Sequence, residues 1–173
     1  RIDWPVPSSG ARGSILFLPG RGDFYEKYLE TLDHFARAGF AITAADWRGQ
    51  GLSGRLAEGQ VGHVPDFALW VDDLAALFTD WSAQRPGPHI VMAHSMGGHI
   101  VMRALVERRI TPVAAVLCAP MLGIKGGGLP DPLAQQLAAF MCRVRGETRQ
   151  AWKVSERPDS PLSLRQKLLT HDD

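Results

Sequence analysis

Four short runs of the chain are mainly apolar and do not alternate with polar residues: SILFLP (Ser14 to Pro19), FAITAAD (Phe40 to Asp46), HIVMA (His89 to Ala93) and VAAVLCA (Val113 to Ala119). A strand with one wet face alternates apolar and polar residues. Continuous runs of this length predict strands buried on both faces of a parallel sheet. Between them lie helical patterns. EKYLETLDHFARAG sets Tyr28, Leu32 and Phe35 at helical spacing, with Gly39 placed to end the helix. DFALWVDDLAALFTDWSAQ gathers Phe67, Trp70, Val71, Leu74, Leu77, Phe78 and Trp81 into a wide apolar face, and SMGGHIVMRALVERR supplies a third helix. This alternation predicts an α/β fold: a mostly parallel sheet with helices on both faces, joined by right-handed crossovers.

After Pro120 the texture changes. MLGIKGGGLPDP is a loop rich in Gly and Pro, LAQQLAAFMCRVRG is helical, and RPDSPLSLRQKLLTHDD holds no strand pattern. Residues 1–120 are therefore expected to build the sheet and its helices, and residues 121–173 to form a helical excursion away from it.

Composition narrows the class. The chain has 173 residues, 45% hydrophobic and 21% charged, with a formal net charge of +1. These values suit one soluble globular domain and supply no Lys/Arg stripe, so no nucleic-acid partner is expected. Arg143, Arg145 and Arg149, with Glu147 among them, read as a solvated helix face. Cys118 and Cys142 make no disulfide framework. Cys118 sits in an apolar run and is expected to be a small buried hydrophobe. A reducing, cytoplasmic location follows as the simpler expectation, with peripheral membrane contact left open. No apolar run is long enough to span a bilayer. The chain begins at Arg1, so its natural start is expected upstream. No cofactor and no metal are expected: the histidines and carboxylates do not cluster at ligand spacing, and DWRGQGLSG lacks the G-K-[ST] ending of a phosphate loop.

The chemistry concentrates around Ser95. A serine hydroxyl is a poor nucleophile until a base takes its proton and fixed donors hold the resulting oxyanion. A tight strand-to-helix turn flanked by small residues meets the geometric part of that need. HIVMAHSMGGHIVMRAL has this form, with Ala93 in the place of the first glycine of G-x-S-x-G. The plain alternative is a serine that caps its helix. Two other stretches, FLPGRGDF and DWRGQGLSG, also follow strands, at the edge where open α/β sheets place their sites. If the first strand lies beside the serine strand, the amides of Arg21 and Met96 converge on one oxygen. Asp46 reads as a structural acid at a strand end.

FLPGRGDFYEKY, AADWRGQGLSGR, MAHSMGGHI and LCAPMLG resemble, in order and spacing, the α/β-hydrolases of the monoacylglycerol lipase and bacterial lysophospholipase type, and LTHDD is similar to a segment of their cap. The resemblance covers nearly the whole chain. It implies an α/β-hydrolase core over 1–120 and the beginning of a helical cap over 121–173. Ser95 would be the nucleophile, and the Arg21 and Met96 amides the oxyanion hole. Pro19-Gly20 stands where the family often has His-Gly, a departure that spares the backbone donors. The substrate implied is a small-molecule acyl ester or lysophospholipid.

The family's order is serine, acid, histidine, so the resemblance places the triad acid and base beyond Asp173, and the chain is expected to be the front portion of a hydrolase, inactive alone. Missing final strands would also leave an open sheet edge prone to association. Internal substitutes are unpromising. His94 adjoins Ser95 and its side chain should diverge; His99 lies inside the following helix; His63 sits in a loop; and His171 belongs to the cap segment. Asp131 and Asp159 read as turn residues. The rivals are a serine peptidase, thioesterase or haloperoxidase on the same scaffold, and a non-catalytic relative that binds a ligand or partner.

Overall fold

The computed structural model describes residues 1–5, 10–56, 62–123 and 130–145. Five strands form one sheet: β1 (Ile2–Asp3), β2 (Ser14–Leu18), β3 (Ala41–Ala44), β4 (His89–His94) and β5 (Ala114–Cys118), in the order β1-β3-β2-β4-β5. β1 runs antiparallel to β3, and every other pairing is parallel. Helices α1 (Leu29–Arg37), α2 (Ala68–Gln84) and α3 (Met96–Val106) connect the strands, and α4 (Asp131–Arg145) follows β5. A 3₁₀ turn, Tyr25–Tyr28, precedes α1.

The four predicted strands and three connecting helices are present, and the period of two along each strand divides the core. Ile15 and Phe17 of β2, Ile42 and Ala44 of β3, and Met92 of β4 pack with Leu32 of α1 on one face. Leu16, Leu18, Val91 and Ala93 pack on the other against Trp70, Leu74 and Trp81 of α2 and Ile100 and Val101 of α3. Both faces of β2 and β4 are covered, which is why Ile15 to Leu18 and Ile90 to Ala93 are apolar without alternation.

Two elements depart from the sequence expectation. β1 spans only two residues, too few to carry a periodic signal. It is held by Thr43 Oγ1, which donates to Asp3 Oδ1 at 2.6 Å, and by Arg85, 2.6 Å from the same oxygen. β5 was expected to be buried, yet Ala114, Ala115, Val116 and Cys118 are exposed. The expectation that Cys118 is a buried hydrophobe is corrected with it. Among the described residues β5 pairs only with β4, and only its Leu117 joins the core. An apolar run records a capacity for burial, not what does the burying.

The strand order also locates a crevice. The chain leaves β2 for β3 on one side and then crosses to β4 on the other, so the carboxyl ends of β2 and β4 flank a topological switch point. Leu18 is in register with Ala93. The loop after β2 and the turn after β4 thus emerge side by side.

Candidate active site

Ser95 occupies that turn with φ 51° and ψ −117°, a region that non-glycine residues rarely enter and that persists only when the surroundings fix it. They do so from three directions. The Ser95 N–H donates to the Cys118 carbonyl at 2.9 Å, and the Ser95 carbonyl accepts from His99 N–H at 3.1 Å and from Met121 N–H at 3.0 Å. Its side chain makes no capping bond to α3, so the hydroxyl of this half-buried residue is not spent on the helix.

The two glycines after it answer to packing. A Cβ at Gly97 would lie 2.9 Å from the Leu18 carbonyl oxygen and closer still to that of Pro19; one at Gly98 would lie 3.0 Å from Pro120 Cβ. α3 therefore starts hard against the end of β2. Met96, its first residue, is fully buried, and its amide has no carbonyl one turn back to bond. The helix N-terminus adds a partial positive charge there.

The first loop reaches the serine through Gly20, whose Cβ would stand 3.2 Å from Ser95 Cβ and 3.1 Å from His94 Nδ1. Arg21, whose N–H belongs to the next peptide, follows directly. The structure thus brings Ser95, Met96 and the Arg21 loop together at one sheet edge.

The DWRGQGLSG loop after β3 holds this first loop from behind. Trp47 Nε1 donates to the Pro19 carbonyl at 2.7 Å, the Gly22 N–H donates to Gln50 Oε1, and the Tyr25 N–H donates to Asp46 Oδ1 at 2.9 Å. Asp46 also organises its own loop, accepting from Leu52 N–H at 3.2 Å while its carbonyl takes the Ser53 hydroxyl at 2.8 Å. A Cβ on Gly51 would collide with the Asp46 carboxylate. The reading of Asp46 as a structural acid agrees with these bonds.

A second set of contacts was not legible in the sequence. The Tyr28 hydroxyl donates to Asp23 Oδ2 at 2.6 Å and lies 3.0 Å from His94 Nδ1. With its proton given to the carboxylate, the phenol oxygen accepts from His94, which fixes the Nδ1–H tautomer and leaves Nε2 the acceptor. Burial works against the Asp23 charge, but the hydrogen bonds from Tyr28 and Lys27 outweigh it and hold the carboxyl below its ordinary range. Burial and the bond to Asp23 together push the Tyr28 phenol well up. Tyr28 reads from its spacing as a core residue. Its ring does pack on Phe17, with centroids 4.6 Å apart, and only its hydroxyl reaches the site.

Elsewhere, the His99 ring meets Phe67 edge-on and its Nδ1 is buried, while His63 is half-buried in its loop. Asp131 is the first residue of α4 and Arg143 is exposed on it; Arg149, Asp159 and His171 lie outside the described residues. No group of His, Cys, Asp and Glu able to hold a metal occurs among the described residues. A cavity of about 460 Å³ lies under the second loop, lined by Trp47, Arg48, Asp73 and Leu77 among others, and does not include Ser95. No helix among the described residues is long and apolar enough to cross a membrane.

Residues 9–172 match the family model described as serine aminopeptidase, S33 (Hydrolase_4). The chain belongs to this α/β-hydrolase family. Among its relatives, lysophospholipase L2 of Escherichia coli K12 is 42% identical over 115 residues, which cover 64% of this chain and 33% of that protein. A monoacylglycerol lipase of Mycolicibacterium smegmatis is 27% identical over 169 residues, covering 96% of this chain and 59% of that one. The crystal structure of Paleococcus ferrophilus monoacylglycerol lipase superposes with a TM-score of 0.63 at 18% identity, covering 97% of this chain and 61% of that one, and shows the shared fold. The chain thus matches about a third to three fifths of the length of these proteins.

Proposed function

We propose that the protein is a serine hydrolase of carboxylic esters, of lysophospholipase or monoacylglycerol lipase type, that works through an acyl-serine intermediate. One observation carries the reading: Ser95 is held at positive φ on the turn between β4 and α3 with its hydroxyl unspent on the helix, beside the loop that bears Arg21. The names of the relatives support the ester class.

Ser95 Oγ attacks the ester carbonyl carbon, and the carbonyl oxygen becomes an oxyanion received by the Arg21 and Met96 amides. Two such donors matter, since removal of one costs about 2.7–4 kcal/mol in the transition state. A histidine base takes the Oγ proton and returns it to the leaving alcohol as the tetrahedral intermediate collapses; water then releases the acid by the same route. Neither His94 nor His99 serves: His94 Nδ1 is committed to Tyr28, and His99 packs on Phe67. The base, with the acid that orients it, is proposed to lie beyond Asp173. Exposed Leu133, Leu137, Phe140 and Met141 of α4 would shelter the acyl chain, as apolar residues of such pockets do.

A second reading, a ligand-binding relative without catalysis, is favoured by the absence of a histidine bonded to the Ser95 hydroxyl among the described residues. A fluorophosphonate probe applied to the full-length protein, with the proposed base in place, separates the two. Labelling at Ser95 that disappears in Ser95→Ala is the expected result, and a folded protein that takes no label supports the binder. A series of p-nitrophenyl esters of rising chain length, run beside monoacylglycerols and lysophospholipids, then sorts the substrate class.

A further inference from the structure

We infer that Gln50 is a positioning residue that aims the Arg21 donor, an inference that rests on the serine-hydrolase reading. Arg21 and Gly22 are exposed, and Gly22 sits at φ +62° with open space where a Cβ would stand. Glycine is there for its backbone angle and not for want of room, and a loop of this kind does not hold one conformation unaided. Gln50 supplies that hold: its Oε1 takes the Gly22 N–H and fixes the peptide that follows the Arg21 N–H.

Gln50 is built to do this. It is 7% exposed, its own N–H donates to the Trp47 carbonyl at 2.9 Å, and its carbonyl accepts from Ser53 N–H at 3.0 Å. Its side chain therefore leaves a fixed backbone. Its Nε2 is buried without a partner. A buried amide donor left unpaired is costly, and that cost tells against a residue present only to fill space. Trp47 and Asp46 anchor the two ends of the first loop at Pro19 and Tyr25, and Gln50 alone of the three grips the Arg21–Gly22 peptide.

The test uses the full-length protein, with the proposed base in place, carrying Gln50→Met, which keeps the volume and removes the acceptor, or Gln50→Glu, which keeps the acceptor. Hydrogen exchange at the Gly22 amide reads the contact, and saturation kinetics of Ser95 phosphonylation read the oxyanion hole. In Gln50→Met, Gly22 should exchange faster and the maximal labelling rate should fall about 100-fold, the scale of a donor misplaced on the order of 1 Å. The probe concentration giving half that rate should stay within about threefold, a split that general loosening would not produce. Gln50→Glu should restore the rate wherever it restores Gly22 protection. Should Gln50→Met not melt cooperatively, Gln50→Asn, which withdraws the acceptor by one methylene, takes its place with the same expected fall. Labelling at the wild-type rate despite an unprotected Gly22 overturns the inference, as does a Gln50→Glu protein that protects Gly22 and labels no faster than Gln50→Met. A wild-type protein that takes no label at Ser95 fails at the earlier reading, and the inference falls with it.

Discussion

Gly97→Ala puts the geometry of the turn to its hardest test. In an ordinary helix the change is stabilising, because alanine has the better propensity by about 0.8–1 kcal/mol. Here the added methyl would sit 2.9 Å from the Leu18 carbonyl oxygen and nearer to that of Pro19, against 3.4–4 Å for ordinary contact. Both obstacles are main chain at the end of a central strand, so no side-chain rotation relieves them. Overpacking costs about 1–3 kcal/mol, and the propensity gain offsets part of it, so the net loss of stability is about 2 kcal/mol or less. Function should suffer more. Relief needs a displacement on the order of 1 Å between the start of α3 and the first loop, the two elements that carry Met96 and Arg21. A shift of that size commonly costs about 10²-fold in rate. The assay is the fluorophosphonate labelling rate of Ser95 beside a thermal melt, with Gly54→Ala as control, since nothing lies within 4 Å of a Cβ there and its φ is not positive. A Gly97→Ala protein that melts normally and labels at the wild-type rate would refute the reasoning.

Tyr28→Phe removes the hydroxyl that joins Asp23 to His94 and keeps the ring on Phe17. The ¹⁵N spectrum of His94 should lose its fixed Nδ1–H pattern, and the Ser95 labelling rate should fall up to about tenfold, less than the roughly 10²-fold that a 1 Å misplacement can cost. Stability should fall in acid. Despite their burial, Asp23 and Asp3 both titrate below the usual carboxylate value, about 3.9 in an unfolded chain, because of the hydrogen bonds they accept. Their contribution is full above that value and drains away as pH drops through the folded-state values. Urea midpoints should therefore decline from pH 5 towards pH 2, and less steeply in Asp23→Asn; equal slopes in the two proteins would count against the account.

The α/β alternation was legible in the order of residues. Two-sided burial demands continuously apolar strands, and amphipathic helices must cover them, so SILFLP, HIVMA and the α2 pattern could hardly be read otherwise. The serine turn was marked as well, because crowding against β2 leaves Gly97 no room for a side chain and Pro120 presses closely on Gly98. Packing in three dimensions settled what local pattern cannot encode. Strand order alone set β2 beside β4 and so brought the first loop to Ser95. Tyr28 and His94 meet across 66 positions, and Gln50 and Gly22 across 28. A tyrosine at helical spacing and a glutamine in a glycine-rich loop announce no partner; their polar atoms acquire one only when the sheet has fixed which loops adjoin. The exposed β5 shows the converse, an apolar run whose letters state a preference for burial that only neighbouring elements can satisfy.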